Sequence, residues 1–334
     1  MKLLITGAAG FLGRALTREL LARSQFNGQA IESLVLTDMV ASSDPAIVDD
    51  SRVQVHQGDL LESLPELFES VYDGVFHLAS AVSAECEADF SLGLRANLAT
   101  TQAMLEKLRT QHSETGVVAR LFFASSVAVF GGDAGVPMPD VITDSTLPVP
   151  QSSYGVHKFV CEQLIADYTR KGFIDGRVAR LMTVSVRPGR PNGAASSFLS
   201  GIIREPLAGE PAICPVDPDT KVALASPRNT IAGILRVAEA TRDELAGRTA
   251  INLPALSLTV AEMLAALEDI AGPETRGLVS LEPDAAIAKV VGSWPGAFES
   301  ARARALGLTP DASFHDVIHQ YIDSLASLTL QQAM

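Results

Sequence analysis

Tyr154 and Lys158 stand four residues apart in Ser152-Ser153-Tyr154-Gly155-Val156-His157-Lys158, at the start of an amphipathic run. On a helix this spacing puts the phenol and the ammonium on one face. A free phenol ionises with a pKa of roughly 10, and a nearby cation favours the phenolate. A buried lysine at this spacing is therefore expected to draw the tyrosine toward the range where it acts as a base. A hydroxyl pair, Ser125-Ser126, precedes it at the end of an apolar run, Leu121 to Ala124, where it can donate to a substrate oxygen. A third constellation, His315-Asp316-Val317-Ile318-His319, approximates the HExxH zinc arrangement. Asp is shorter than the glutamate that chemistry needs and no third ligand is near, so no metal is expected.

The elements that must position these groups begin at the N-terminus. Lys2 to Thr6 reads as a strand, and Gly7-Ala8-Ala9-Gly10-Phe11-Leu12-Gly13 leads into a helical pattern through Leu16, Leu20 and Leu21. Strand, glycine turn and helix form the setting of a dinucleotide fingerprint. Gly7, Gly10 and Gly13 let backbone amides approach a pyrophosphate at a helix N-terminus, which Phe11 and Leu12 open. A second strand, Ser33 to Thr37, ends at Asp38, an acceptor for both adenosine ribose hydroxyls that repels a 2′-phosphate, so NAD is expected rather than NADP. Val53 to His56 is the third strand, with Asp59 and Leu60 placed to meet the adenine. Gly74 to Leu78 is the fourth, and the small Ala79 and Ser80 after it allow a flat cofactor close to the backbone. A helix is expected from Leu92 to Gln111, carrying Asn97, which can hold a water or bend the helix. Leu121 to Ala124 is the fifth strand and Ala179 to Arg187 the sixth; a helix from Pro227 to Thr241 and a strand from Ala250 to Leu253 follow. Ser257-Leu258-Thr259 caps a helix through Ala271.

Composition narrows the partners. The 334 residues are 47% hydrophobic, enough for a sizeable core, and carry a net charge of −13. No polybasic run offers a nucleic-acid groove or a grip on an anionic membrane. No apolar stretch reaches the ~20 residues of a membrane span, and the N-terminus runs straight into a strand rather than a signal peptide. Three dispersed cysteines, Cys86, Cys161 and Cys214, fit a reducing compartment, so a cytoplasmic location is expected.

The order of glycine loop, acidic strand end, serine pair and YxxxK resembles the short-chain dehydrogenase/reductase superfamily. The chain length and the TGAAGFLG spacing resemble its extended branch. This resemblance implies an α/β fold, a Rossmann-type doubly wound parallel sheet with a smaller C-terminal substrate-binding domain. Residues 1–187 and 222–254 would form the NAD-binding part, and 188–221 and 255–334 the substrate-binding part. It further implies Tyr154 as acid/base, Lys158 as its activator and ribose ligand, and Ser126 as the hydroxyl that positions substrate. Asn97 would support a proton-relay water, Pro188 would lie near the nicotinamide, and a homodimer would form through the helices beginning near Asn97 and Tyr154. Phe130 stands where the superfamily usually has tyrosine, which removes one polar group. The chain departs from the nucleotide-sugar members at Arg190, where they carry asparagine, and at Ala225 to Thr230, where they carry an acidic segment. The run RPGRPNGAASSF…SGIIREPLAG is instead similar to a group that oxidises a four-carbon sugar acid, D-erythronate, with NAD. A carboxylate substrate gives Arg190, Asn192, Ser196 and Ser197 a use, since a guanidinium grips it through two hydrogen bonds. The expected reaction is oxidation of the C2 hydroxyl of such an acid. The alternatives are a nucleotide-sugar epimerase or dehydratase that recycles NAD, and a non-catalytic NAD-sensing protein.

Overall fold

The computed structural model describes residues 1–42, 44–189 and 195–332. Arg190 and Asn192 therefore lie outside the described residues. By internal packing the chain divides into two units, 1–129 with 152–180 and 231–251, and 130–151 with 181–230 and 252–334.

The first unit is built on a seven-stranded sheet. Its strands are β1 (Lys2–Thr6), β2 (Ser33–Asp38), β3 (Val53–Gln57), β4 (Gly74–His77), β5 (Arg120–Ser126), β6 (Asp175–Leu181) and β7 (Ile251–Asn252), in the order β7-β6-β5-β4-β1-β2-β3. Leu3, Leu4 and Ile5 are all fully buried, the unbroken apolar run that a strand covered on both faces requires. β1 is parallel to β2 and β4, with Thr6 opposite both Thr37 and His77, and β4 is parallel to β5, with His77 opposite Phe123. In this register the glycine loop, Asp38, Leu78 to Ser80 and Ser125-Ser126 all leave the sheet at its carboxyl edge, the ligand-binding side of such sheets. The flanking helices include α1 (Phe11–Arg23), α2 (Leu60–Leu67), α3 (Thr100–Thr115) and α4 (Ser153–Arg170). α4 starts where Ser152 Oγ accepts the Gly155 N–H at 3.2 Å, and it buries Lys158, Cys161, Glu162 and Ile165, one face of the helix.

Several elements differ from the sequence expectation. The helix expected from Leu92 to Gln111 is interrupted: Phe90–Gly93 is α-helical, Leu94–Ala99 forms a widened π turn, and α3 starts at Thr100. Asn97 sits in that turn, a local departure of the kind that often re-aims a functional side chain. The sixth strand is earlier than expected, ending at Leu181. Thr183–Val184 then joins Lys221–Ala225 in a separate small sheet, which also pairs antiparallel with Leu256–Thr259. Residues 130–151, expected in the nucleotide-binding part, pack within the second unit. Ile142–Thr143 pairs with Phe298–Glu299, the Phe130 ring meets Phe298 at 6.0 Å, and Asp144 accepts from Ser300 Oγ at 3.1 Å. By internal packing the units change over after 129, 151, 180, 230 and 251. An apolar run reveals that a strand is buried, and says nothing of which sheet receives it.

The second unit packs α5 (Phe198–Leu207) and α7 (Val260–Arg276) around a core that includes Leu199, Ile202, Ile203, Met263, Leu264 and Leu267. Between them in sequence, α6 (Pro227–Glu239) runs from one unit into the other. Thr259 and Glu262 close a reciprocal capping box at the start of α7. His315 Nε2 of the zinc-like motif meets Asp269 Oδ2 at 3.0 Å. Among the described residues no helix is long and apolar enough to cross a membrane.

Candidate active site

Three turns of one face of α4 are aimed at the end of β5. The hydroxyls of Ser126 and Ser80 stand against the Tyr154 phenol and favour its ionised form. Lys158 Nζ donates to the Ala124 carbonyl at 2.8 Å, over the Phe123 ring at 4.7 Å and the Tyr154 ring at 5.5 Å. Ser126 Oγ also accepts the Ala128 N–H at 3.1 Å, which fixes its lone pairs toward the strand end. The expected Ser126, Tyr154 and Lys158 set is thus brought together within one unit. Ser80, expected as a small residue under the cofactor, proves to be a second hydroxyl on the phenol. A hydroxyl one residue after Ala79 at the same sheet edge was the available signal, and the register of β4 with β5 is what realises it.

The electrostatics correct one expectation. The Lys158 ammonium lies over the ring, not beside the oxygen, and burial dominates for both groups. Burial pushes the Tyr154 phenol up to about 12, against the opposing pull of the Ser126 and Ser80 hydroxyls. Burial likewise lowers Lys158 to about 8. A phenolate loses more solvation here than this ammonium restores.

Asn97 is buried, and its side chain is engaged with the main chain: Oδ1 accepts the Ala81 N–H at 2.8 Å and Nδ2 donates to the Ala81 carbonyl at 3.1 Å. Its role in the geometry is to pin the segment that carries Ser80. A buried relay supports the same edge. His77 Nδ1 meets Thr6 Oγ1 at 2.7 Å, His77 Nε2 meets Thr101 Oγ1 at 3.0 Å, and Thr101 donates to the Asn97 carbonyl at 2.6 Å. Burial, then the charge of Lys158, lowers His77 to about 3, so its imidazole is neutral.

The glycine loop fits a dinucleotide pyrophosphate. Gly10 is the N-cap of α1 and offers no side-chain oxygen to the first helical amides, and the first turn holds no acidic residue. Gly7 has a φ of 71°, and a Cβ on it would lie 2.7 Å from the Ala79 nitrogen; one on Gly13 would lie 2.2 Å from the Gly7 carbonyl oxygen. The loop is therefore folded tightly enough that only hydrogen fits at either position. Phe11 and Leu12, partly buried, open α1, and Leu78 donates its N–H to the Thr6 carbonyl at 3.2 Å beside them. Asp38 Oδ2 accepts the Ala9 N–H at 3.0 Å, which places the carboxylate against the loop. Asp38→Asn keeps an acceptor for Ala9 but removes the charge that repels a 2′-phosphate. The ratio of NAD to NADP affinity is expected to fall about tenfold; an unchanged ratio in binding titrations would remove Asp38 from that role. Asp59 is otherwise occupied: it caps α2 through the Glu62 N–H and pairs with Arg95 at 3.1 Å, while Leu60 is the first residue of the helix.

In the second unit Ser196 and Ser197 lie in a short 3-10 turn before α5, and Pro188 follows Arg187. The guanidinium that stands out there is Arg187. It donates to Ser196 Oγ at 3.0 Å, and among the described residues it has no carboxylate partner. Burial and then the like charge of Arg204 lower it to about 10. Arg204 is held differently, by Glu205 at 2.6 Å and the Arg187 carbonyl at 2.8 Å. In the sequence Arg187 is only the last residue of an apolar run; its contacts with Ser196 and Arg204 arise from the fold.

Comparison with known proteins gives the arrangement its context. Residues 3–253 match the NAD dependent epimerase/dehydratase family. The chain is 48% identical to a D-erythronate dehydrogenase of Cupriavidus necator, with 97% of this chain and 98% of that protein covered. It is 41% identical to a D-erythronate dehydrogenase of Haemophilus influenzae, covering 97% and 99%. Among solved structures, a nucleoside-diphosphate-sugar epimerase from Agrobacterium tumefaciens superposes with a TM-score of 0.90 at 38% identity, covering 97% of this chain and 94% of that one.

Proposed function

The chain belongs to the NAD dependent epimerase/dehydratase family, and on that premise we propose that it oxidises the C2 hydroxyl of a small sugar acid, converting D-erythronate to 2-dehydro-D-erythronate with Tyr154 as the base. It is an NAD-dependent enzyme. The observation that carries the reaction type is the Tyr154 phenol faced by the hydroxyls of Ser126 and Ser80, with Lys158 under its ring. The full-length likeness to two D-erythronate dehydrogenases supports the substrate.

When bound, oxidised NAD supplies the acceptor for the hydride leaving C2 and a positive charge. Gly7, Gly10, Gly13 and the amides opening α1 would hold its pyrophosphate, and Asp38 its adenosine ribose. Ser126 would donate to the reacting oxygen while Tyr154, in its phenolate form, takes the hydroxyl proton and becomes the neutral phenol, with Ser80 as a further hydroxyl against it. Lys158, tied to the Ala124 carbonyl and lying over the Tyr154 ring, would donate to a ribose hydroxyl of the bound cofactor. Arg190, Asn192, Ser196 and Ser197 are the residues proposed to bind the substrate carboxylate.

A second copy of this chain is the proposed partner. Phe90 is 61% exposed, Val156 44% and Val160 37%, an apolar set on α4 and on the segment leading to α3. The reaction is tested by incubation with NAD and D-erythronate: steady accumulation of reduced nicotinamide supports dehydrogenation. The 38% identity to a nucleoside-diphosphate-sugar epimerase favours a second reading, in which NAD is recycled. Nucleotide-sugar turnover without accumulation of reduced cofactor would establish that reading instead.

A further inference from the structure

Glu162 lies two turns beyond Tyr154 and one beyond Lys158, on the same face of α4, and is 2% exposed. Its carboxylate is held by groups from two strands. Ser125 Oγ donates to Oε1 at 2.5 Å, while Arg180 of β6 donates through Nε to Oε1 at 2.9 Å and through its terminal nitrogen to Oε2 at 2.7 Å. Ser125 and Arg180 are themselves buried. Three turns of α4 therefore each meet one of three successive residues of β5: Lys158 meets Ala124, Glu162 meets Ser125, and Tyr154 meets Ser126.

We propose that Glu162, clamped by Ser125 and Arg180, is a positioning residue that sets the axial register of α4 against the end of β5 and so the alignment of the Tyr154 phenol with the Ser126 hydroxyl. The physical basis is leverage along a stiff helix. A bidentate guanidinium fixes the orientation of the carboxylate, so the Ser125 contact resists sliding in either direction. Helix residues rise 1.5 Å each, so a slip of one residue would carry the phenol away from the Ser126 hydroxyl. Misplacement of about 1 Å in a reacting geometry costs on the order of 100-fold in rate. Substituting Glu162 directly would remove a buried carboxylate from the Arg180 guanidinium and confound the result with unfolding. Ser125 is the cleaner handle, since its removal leaves the Glu162–Arg180 pair intact.

The inference rests on Tyr154 being the reacting base, so its test pairs a kinetic readout with one that needs no substrate. Protein labelled with 3-fluorotyrosine gives a fluorine resonance for Tyr154, assigned by its loss in Tyr154→Phe. In Ser125→Ala this resonance should shift, and kcat with D-erythronate should fall about tenfold while KM and NAD affinity stay within about twofold. Ser125→Thr, which keeps the hydroxyl, should restore both. An unmoved resonance together with a wild-type kcat, whatever the change in melting temperature, would overturn the proposal and leave Glu162 a purely structural pair. A moved resonance in a protein whose wild-type form does not oxidise D-erythronate would uphold the positioning role and reject the substrate assignment instead.

Discussion

Tyr154→Phe is expected to lower kcat for D-erythronate oxidation about 10³- to 10⁴-fold while leaving NAD affinity within about twofold. The size follows from removing the one group proposed to receive the substrate proton, since positioned acid–base groups contribute about 10²–10⁴ and no neighbour can substitute. Ser126 and Ser80 remain, but an aliphatic hydroxyl is a far weaker base than a phenol. The ring stays, so packing is preserved, and the two serine hydroxyls lose one partner, a cost of about 1 kcal/mol in stability. NAD binding is expected to survive because the groups proposed to hold its pyrophosphate and adenosine ribose, the glycine loop and Asp38, are carried by β1, β2 and α1 and are left in place by the substitution. Stopped-flow formation of reduced nicotinamide and a separate NAD titration check this. Loss of turnover and of cofactor affinity together would assign Tyr154 a structural role.

Lys158→Met is expected to have opposite effects on activity and stability. Lys158 is buried and its charge has no carboxylate in contact; its bonded partner is the neutral Ala124 carbonyl. Moving its ionisation from 10.5 to about 8 corresponds to roughly 3 kcal/mol of unfavourable charge burial. Methionine has similar length and no charge. Losing the Ala124 hydrogen bond offsets about 1 kcal/mol of the gain, so the variant should be about 1–2 kcal/mol more stable at pH 7. Below pH 8 the wild-type fold carries the full penalty. Between pH 8 and 10.5 the folded chain binds fewer protons than the unfolded one, so wild-type stability rises with pH; above 10.5 the penalty is gone. Tyr154 acts in the opposite sense, its contribution being lost as pH rises from 10 to about 12. Denaturant melts at pH 7 and pH 9.5 should therefore show a slope in wild type that Lys158→Met lacks. Activity should fall about 10²- to 10³-fold, because the ring loses its tether. A variant less stable than wild type at both pH values would contradict the buried-charge account.

The parts of this site that could be read from the sequence are those whose chemistry is local. Gly7 to Gly13 is a strand, a turn and a helix start in consecutive residues, and Ser152 to Lys158 is a cap followed by one face of a helix; neither needs the rest of the fold to be recognised. Asp38 was legible for a similar reason, as the end of the next strand. What escaped depends on pairing between distant segments. Ser80 reaches the phenol because His77 is in register with Phe123, which sequence periodicity does not specify. Glu162 reads as an ordinary polar position of a helix until Arg180 and Ser125 close around it. The π turn at Asn97 is set by tertiary bonds to Ala81, not by local propensity. The expected pull of Lys158 on the Tyr154 pKa failed because spacing gives proximity but not direction: the ammonium faces the ring, and desolvation then decides. Arg187 was hidden because its contacts with Ser196 and Arg204 depend on how distant residues fold around it.

The central claim is that one phenol takes the proton that leaves the substrate. Its most direct test is the pH dependence of reduced-nicotinamide formation from D-erythronate at saturating NAD, measured in wild type and Tyr154→Phe. With the phenol protonated across the neutral range, the wild-type rate should climb with pH, approaching tenfold per pH unit below its ionisation, and the residual rate of Tyr154→Phe should lack that limb. A wild-type rate independent of pH from 6 to 9, or the same limb in both proteins, would contradict it.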